Sequence, residues 1–167
     1  MVCYFGAKGL ALVGDLVFLG ALAAGPVGLG LQLFEALGEL RGVGLLIQLA
    51  LDARRQAYCP YSNFQVGVAL QNQLGQTAMG CNVENAAYGS TICAEANALG
   101  TAVAQGLSDI TDLVIATSSG AAPCGNCRQL IAELAPNSTI HLVNLEGTPL
   151  SSHSIRELLP SAFTSLD

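Results

Sequence analysis

Charged side chains are scarce in this chain, and positively charged ones are the scarcest. Charged residues make up 11% of the 167 residues, whereas an ordinary soluble domain has about 25%. Only six residues are Lys or Arg, and the net charge is −6. Because binding to a nucleic acid backbone depends on clustered positive charge, we expect no nucleic acid partner. The composition favours a small, uncharged substrate.

Residues 1–42 are apolar and rich in glycine, with nine of the 19 Gly of the chain. We predict that they form an N-terminal extension of unknown role. The stretch 10–33 has the length of a membrane span, which takes about 20 apolar residues. Asp15 and Pro26 disfavour such a helix, so we do not expect a membrane partner. Residues 10–33 are the stretch that would allow one. A signal peptide ending near 21–23, an extra packed helix and a start assigned too early are alternatives.

Residues 43–167 have the pattern of one globular domain. Apolar residues at helical spacing predict a first helix that ends before Pro60. Further apolar patterns predict strands at 64–70, 77–83, 113–117 and 139–143, and helices at 93–104, 124–134 and 155–159. Strands that alternate with helices imply an α/β fold. We predict a three-layer α/β/α sandwich with a mixed sheet of about five strands, His141 in a strand and His153 in a surface loop.

Three of the six cysteines belong to one pattern rather than to a set of disulfides. Cys93-Ala-Glu95 is followed by Cys124-Gly-Asn-Cys127. A catalytic zinc ion has three protein ligands, an open position for water and a nearby base, whereas structural zinc usually has four ligands. The candidates for a fourth ligand form no ligand-like pair: Cys59, Cys81, His141 and His153. A Cys-x-x-Cys alone would also suit a redox dithiol, but the combined pattern matches the zinc deaminase signature and predicts one zinc ion per chain.

Helix N-termini are expected at both cysteine motifs. We predict Cys93 and Glu95 in the first turn of one helix, and Cys124 and Cys127 in the first turn of the next. The positive end of a helix lowers thiol pKa values and supports thiolate ligands. Three thiolates on Zn²⁺ leave a net charge of −1, and Arg128 is a candidate for balancing it.

Glu95 is the candidate catalytic base, because it follows Cys93 closely enough to lie beside the water without binding the metal. It would take a proton from the water and pass it to the substrate. The alternative is a carboxylate that only complements the helix dipole. Since thiol ligands must stay reduced, the site favours a cytoplasmic location.

From about residue 43 to 163 the chain resembles the small, homotetrameric cytidine deaminases. The resemblance lies in 57–64, 80–89, the two cysteine motifs and 158–163. It implies hydrolytic deamination of cytidine and deoxycytidine to uridine and deoxyuridine with release of ammonia, in pyrimidine salvage. It also implies a homotetramer with sites at subunit interfaces. In this reaction a water acidified by zinc attacks C4 of the ring.

The resemblance also implies roles for residues outside the cysteine motifs. Asn82 and Glu84 would bind the ribose 3′-hydroxyl, Phe64 would pack on the pyrimidine, and Glu95 with the backbone of Ala94 would hold the base. Asn82 and Glu84 alternate on an extended segment, so both side chains point one way. Without the cysteines, this segment would be interpreted as a polar turn after a strand.

The family pattern places Ala86, Tyr88 and Phe163 in a neighbouring subunit's site. Ala96 departs from the pattern, because several members have Arg there. Residues 1–42 make the chain longer than the family usually is. Other functions left open are deamination of another aminopyrimidine such as blasticidin S, a non-catalytic zinc-stabilised domain with a fourth protein ligand, and polynucleotide editing, which the acidic balance opposes.

Overall fold

The computed structural model describes residues 42–164. The predictions made for the N-terminal extension, including the membrane and signal alternatives for 10–33, lie outside the described residues. Within the described part, no helix combines the length and the apolar character that crossing a bilayer requires.

Five strands and four helices make up the described fold. In chain order they are α1 (42–55), β1 (Gly67–Asn72), β2 (Thr77–Cys81), α2 (Ala94–Ala104), β3 (Ile110–Ala116), α3 (Gly125–Leu134), β4 (Thr139–Val143), β5 (Pro149–Ser154) and α4 (Ile155–Leu158). The strands form one sheet in the order β2-β1-β3-β4-β5. Only β3 and β4 pair in parallel, and the other neighbours are antiparallel. The predicted mixed five-stranded sheet is confirmed.

Helices cover both faces of this sheet. One face packs against α1, through buried residues such as Leu46 and Ala50 on the helix and Val114 on β3. The other face packs against α2, α3 and α4, where Leu113 and its neighbours meet residues such as Ile131. Because successive residues of a strand point to opposite faces, β3 is buried on both sides. The predicted three-layer sandwich is confirmed.

Two glycines let helices lie directly on strands. A Cβ at Gly67 of β1 would overlap the carbonyl oxygen of Ala50 in α1. A Cβ at Gly80 of β2 would overlap the backbone of Ala94 and Ala98 in α2. Gly80 therefore determines how closely α2 approaches the sheet, and α2 begins beside the first cysteine motif.

Two predictions about strands were wrong. The first strand begins at Gly67 instead of residue 64, because the side chain of Asn82 hydrogen bonds to the backbone on both sides of Gln65. His153 lies in strand β5 and not in a loop. This strand, Pro-Leu-Ser-Ser-His-Ser, has one aliphatic side chain besides its proline, so it lacks the apolar alternation of a typical strand. His141 lies in β4, as predicted.

Candidate active site

The three cysteines of the predicted metal site come together at the N-termini of α2 and α3. Their sulfur atoms all lie within 4.8 Å of one another, and the Sγ atoms of Cys93 and Cys124 are 3.9 Å apart. Cys93 and Cys124 are the N-cap residues of these helices, and not members of the first turn as predicted. Cys127 does lie in the first turn of α3 and is fully buried.

The spacing of the sulfur atoms fits one tetrahedral zinc ion. With Zn–S bonds of about 2.3 Å, tetrahedral geometry separates two sulfur ligands by about 3.8 Å. Among residues 42–164, no further His, Cys, Asp or Glu joins the three thiols as a ligand. The described donor set would therefore supply three protein ligands to a metal, and a fourth position would remain open. This arrangement disfavours the alternative of a closed structural site.

The thiols differ in their electrostatic surroundings. Burial raises the pKa of Cys93 and of Cys127, and the nearby Glu95 carboxylate adds to the effect at Cys127. At Cys124, burial acts in the same direction, but hydrogen bonds from Cys127 and from the Asn126 amide outweigh it and lower the pKa. The predicted effect of a helix N-terminus is thus evident at Cys124. A divalent cation would supply the positive charge that favours the thiolate form of all three.

Glu95 lies beside this cluster in the first turn of α2. It is buried, with 5% of its surface exposed, and it is close enough to Cys127 to hydrogen bond with it. Burial raises the pKa of its carboxyl group, and its own backbone amide opposes the effect. A raised pKa suits a group that both accepts and donates protons near neutral pH.

A cavity of about 280 Å³ opens onto the cluster. Seven of the residues predicted for the site line it: Phe64, Asn82, Glu84, Cys93, Ala94, Glu95 and Cys124. The sequence analysis missed six others: Ser62, Val66, Ile115, Thr117, Ala121 and Ala122. Ser62 lies in a segment that carried the resemblance, and the two alanines directly precede the second cysteine motif. Ile115 and Thr117 are at the carboxyl end of β3, where ligands of open α/β sheets commonly bind.

The polar wall of this cavity is held in place by the backbone. The Asn82 side chain accepts a hydrogen bond from the Val66 amide (2.8 Å) and donates one to the Phe64 carbonyl (2.9 Å). Glu84 accepts hydrogen bonds from the amides of Tyr61 (2.8 Å) and Ser62 (3.2 Å) at one carboxylate oxygen. The Ser62 hydroxyl and these amides lower the pKa of Glu84, so its carboxylate is ionised and one oxygen remains free.

The residues assigned to a neighbouring subunit's site lie outside the cavity. Ala86 and Tyr88 are exposed, and Tyr88 begins a short 3₁₀ helix. The Tyr88 ring packs edge-on against Tyr61 with 5.8 Å between centroids. A second cavity, lined by Tyr61, Ser62, Glu84, Tyr88 and Thr91, shares Ser62 and Glu84 with the first. Among residues 42–164, no Lys or Arg lines either of the two cavities.

Arg128 and Phe163 are not among the residues that line the cavity. The Arg128 guanidinium donates hydrogen bonds to the carbonyls of Pro123 (2.8 Å) and Leu158 (2.9 Å), and so supports the residue before Cys124. The Phe163 side chain is 62% exposed, and its backbone is held by Gln129. The sequence analysis did not identify Gln129 as a functional candidate.

Comparisons with known sequences agree with this geometry. A family model described as the cytidine and deoxycytidylate deaminase zinc-binding region matches residues 44–143. A cytidine deaminase of Halalkalibacterium halodurans is 45% identical over 126 residues, which cover 74% of this chain and 95% of that protein. A cytidine deaminase of Sporosarcina psychrophila is 44% identical, over 73% of this chain and 91% of that one.

Solved structures lead to the same family. A crystal structure of cytidine deaminase from Burkholderia pseudomallei matches with a TM-score of 0.68 at 42% identity, covering 72% of this chain and 98% of that chain. One from Mycobacterium tuberculosis matches with a TM-score of 0.63 at 34% identity, covering 73% and 97%. Since the family match includes all three clustered thiols and Glu95, the chain belongs to the zinc-dependent cytidine deaminase family of hydrolases.

Proposed function

We propose that the protein hydrolyses cytidine and deoxycytidine to uridine and deoxyuridine, releasing ammonia. The observation that carries the proposal is the position of Glu95, a buried carboxyl group between a three-thiol metal site and a cavity. The ligands of the ion are Cys93, Cys124 and Cys127, which leave a place for water beside Glu95. The reaction replaces the exocyclic amino group at C4 with the oxygen of that water.

Proton transfer in this proposal belongs to Glu95. Zinc, when bound, acidifies a water at its open position. The Glu95 carboxylate would take a proton from the attacking water and give it to ring nitrogen N3. It would then move the proton of the new hydroxyl at C4 to the amine, which leaves as ammonia. The raised pKa of Glu95 brings its two protonation states closer in energy, as both halves of this transfer require. The backbone of Ala94 and the ring of Phe64 hold the base in place.

The polar wall of the cavity would bind the sugar. Glu84 has a free, ionised oxygen for the ribose 3′-hydroxyl, and Asn82 has one amide proton left for the same group. The Glu84 carboxylate at the sugar position would repel a phosphate, and no Lys or Arg from residues 42–164 lines the site to offset it, so we propose a nucleoside as the substrate. The acidic balance of the chain likewise opposes a nucleic acid partner.

We propose a homotetramer in which Ala86, Tyr88 and Phe163 reach a neighbouring subunit's site, because these residues are exposed and do not line the cavity of their own chain. Reduced thiol ligands favour a cytoplasmic location, where the reaction would serve pyrimidine salvage. The domain is proposed to run from residue 43 to 167, with 1–42 as an appendage.

The decisive experiment measures zinc content and cytidine turnover on one preparation of the full chain. We expect about one zinc ion per chain and stoichiometric release of uridine and ammonia. Cytidine monophosphate and blasticidin S, tested in parallel, should be poor substrates. A protein with bound zinc and no cytidine turnover would contradict the proposal, and preferred turnover of blasticidin S would replace the proposed substrate with another aminopyrimidine.

A further inference from the structure

Gln129 makes two hydrogen bonds to one residue near the end of the chain. Its Nε2 donates to the Phe163 carbonyl (2.6 Å), and its Oε1 accepts from the Phe163 amide (3.2 Å). Both ends of one side-chain amide thus satisfy both backbone groups of one residue. Glu has no donor for this pairing, and Asn is one methylene shorter. The contact is therefore specific for glutamine.

The fixed backbone of Phe163 presents a ring that the described chain does not bury. The side chain is 62% exposed, so the two hydrogen bonds do not serve to place it in the core of its own subunit. Arg128 holds the same C-terminal segment at the Leu158 carbonyl. Two adjacent residues of α3, directly after the buried Cys127, thus hold this segment at two points. The Phe163 backbone, from which the ring projects, is thus held against the helix that carries two of the three thiols.

We infer that Gln129 is a positioning residue for substrate binding, which acts by fixing Phe163 in the orientation that a neighbouring subunit's site requires. The inference rests on the proposed function, in which Phe163 reaches that site. An exposed aromatic side chain on a loose C-terminal segment would have to be ordered each time substrate bound. Hydrogen bonding to Gln129 orders the backbone beforehand. Gln129 therefore affects KM for the nucleoside and leaves the chemical step to Glu95 and the metal.

Gln129→Met separates this role from a general structural one, because Met keeps the length and helix propensity of Gln and removes both hydrogen bonds. We expect one zinc per chain, an unchanged oligomeric mass, kcat within about twofold and KM for cytidine raised about five- to tenfold. Gln105→Met is the matched control: Gln105 is exposed at the end of α2 and its side chain makes no hydrogen bond within residues 42–164. Its kinetics should equal those of the unaltered protein.

Phe163→Ala and the double variant complete the test. If Gln129 acts through Phe163, then Gln129→Met adds no further rise in KM when Phe163 is already Ala. If the two substitutions raise KM independently, so that their effects multiply in the double variant, the inference is overturned. Loss of zinc or of the oligomeric state in the Gln129→Met protein would also overturn it. If KM is normal for Gln129→Met and raised for Phe163→Ala, the inference about Gln129 is overturned and the proposed function is not affected. If Phe163→Ala itself binds cytidine normally, the proposed role of Phe163 fails, and absence of turnover in the unaltered protein rejects the proposed function.

Discussion

Glu95 occupies a position that would be costly for a carboxylate without a function. It is 5% exposed and faces sulfur atoms that carry negative charge when they bind a metal. Desolvation disfavours its ionised form, and hydrogen bonds with its own backbone amide and with Cys127 offset only part of that cost. Keeping a carboxylate at this position therefore has an electrostatic cost. An exposed carboxylate that only complemented a helix dipole would not have that cost.

Replacing Glu95 with Gln should separate metal binding from turnover. The amide has the same shape but cannot carry the proton from water to substrate. We expect the zinc content to stay at about one per chain and kcat to fall by about 10²–10⁴, with KM changed little. Metal analysis and steady-state kinetics on the same sample measure both quantities. Turnover within tenfold of the unaltered protein would remove Glu95 from the proton transfer.

Local spacing predicted that the three thiols and Glu95 lie together, because each belongs to a short motif at the start of a helix. The link between Gln129 and Phe163 could not be predicted. These residues are 34 positions apart, and their contact depends on where the chain goes after α4. The two hydrogen bonds of the Asn82 side chain were missed for the same reason, since their partners lie 16 and 18 positions earlier in the chain.

Helix α2 carries Cys93 and Glu95 to the metal site, and it rests on β2 at Gly80. Gly80→Ala should therefore push α2 away from the sheet and displace both residues. We expect a loss of stability of about 1–3 kcal/mol, together with weaker zinc binding, measured by chelator competition. The matched variant is Gly67→Ala, which pushes α1 instead. It should lose comparable stability while the folded protein keeps its zinc affinity.

Equal zinc affinities in the two glycine variants would contradict this account of α2. The outcome would mean that the metal site adjusts to a shifted helix. Urea unfolding of both variants supplies the stability comparison.

A hydrogen-bonded chain crosses the sheet on the α1 side, from Gln71 through Asp112 and His141 to Ser152. Partial burial acts to raise the pKa of Asp112, but hydrogen bonds from Gln71 and His141 outweigh it, so the pKa lies below its usual value of 3.8. A lowered pKa in the folded state stabilises the protein above pH 3.8. That stability is lost as the pH falls through the lower, folded value.

Asp112→Asn should remove this part of the acid sensitivity. Near neutral pH the variant should be less stable than the unaltered protein, and the difference should shrink once the pH is below about 4. Urea unfolding at about pH 7 and about pH 3.5 measures it, and comparing the two proteins cancels the acid release of zinc, which affects both. A constant difference across the range would show that the ionised carboxylate is not what stabilises the sheet.

The strands and helices could be predicted where burial produces a recognisable pattern of apolar residues, as in β3, β4 and α3. Strand β5 was not, because the paired residues of an edge strand need not be apolar when one side faces solvent. The start of β1 was misplaced because the Asn82 side chain bonds to the Val66 amide and the Phe64 carbonyl, which would belong to the strand ladder if β1 began at residue 64.

On the scale of the whole molecule, the domain should function without the residues before position 43. The family match begins at residue 44, and Val43 is the first of the described residues that packs on the sheet. A chain that starts at Val43 should keep its zinc content, its oligomeric mass and kcat within about twofold. Metal analysis, light scattering and kinetics measure these three properties. Loss of folding on deletion would show that the extension belongs to the domain.

The two N-cap cysteines have a thermodynamic consequence. Ser, Thr, Asp or Asn at an N-cap usually supplies an oxygen that accepts an amide hydrogen bond, whereas Cys93 and Cys124 have a sulfur atom in that place. An ion bound by both sulfurs ties together helix starts that lie 31 positions apart. Because the unfolded chain has no preformed site, occupancy and folding are coupled. The melting temperature should therefore rise with free zinc concentration, and chelation should accelerate amide hydrogen exchange first in the opening turns of these two helices.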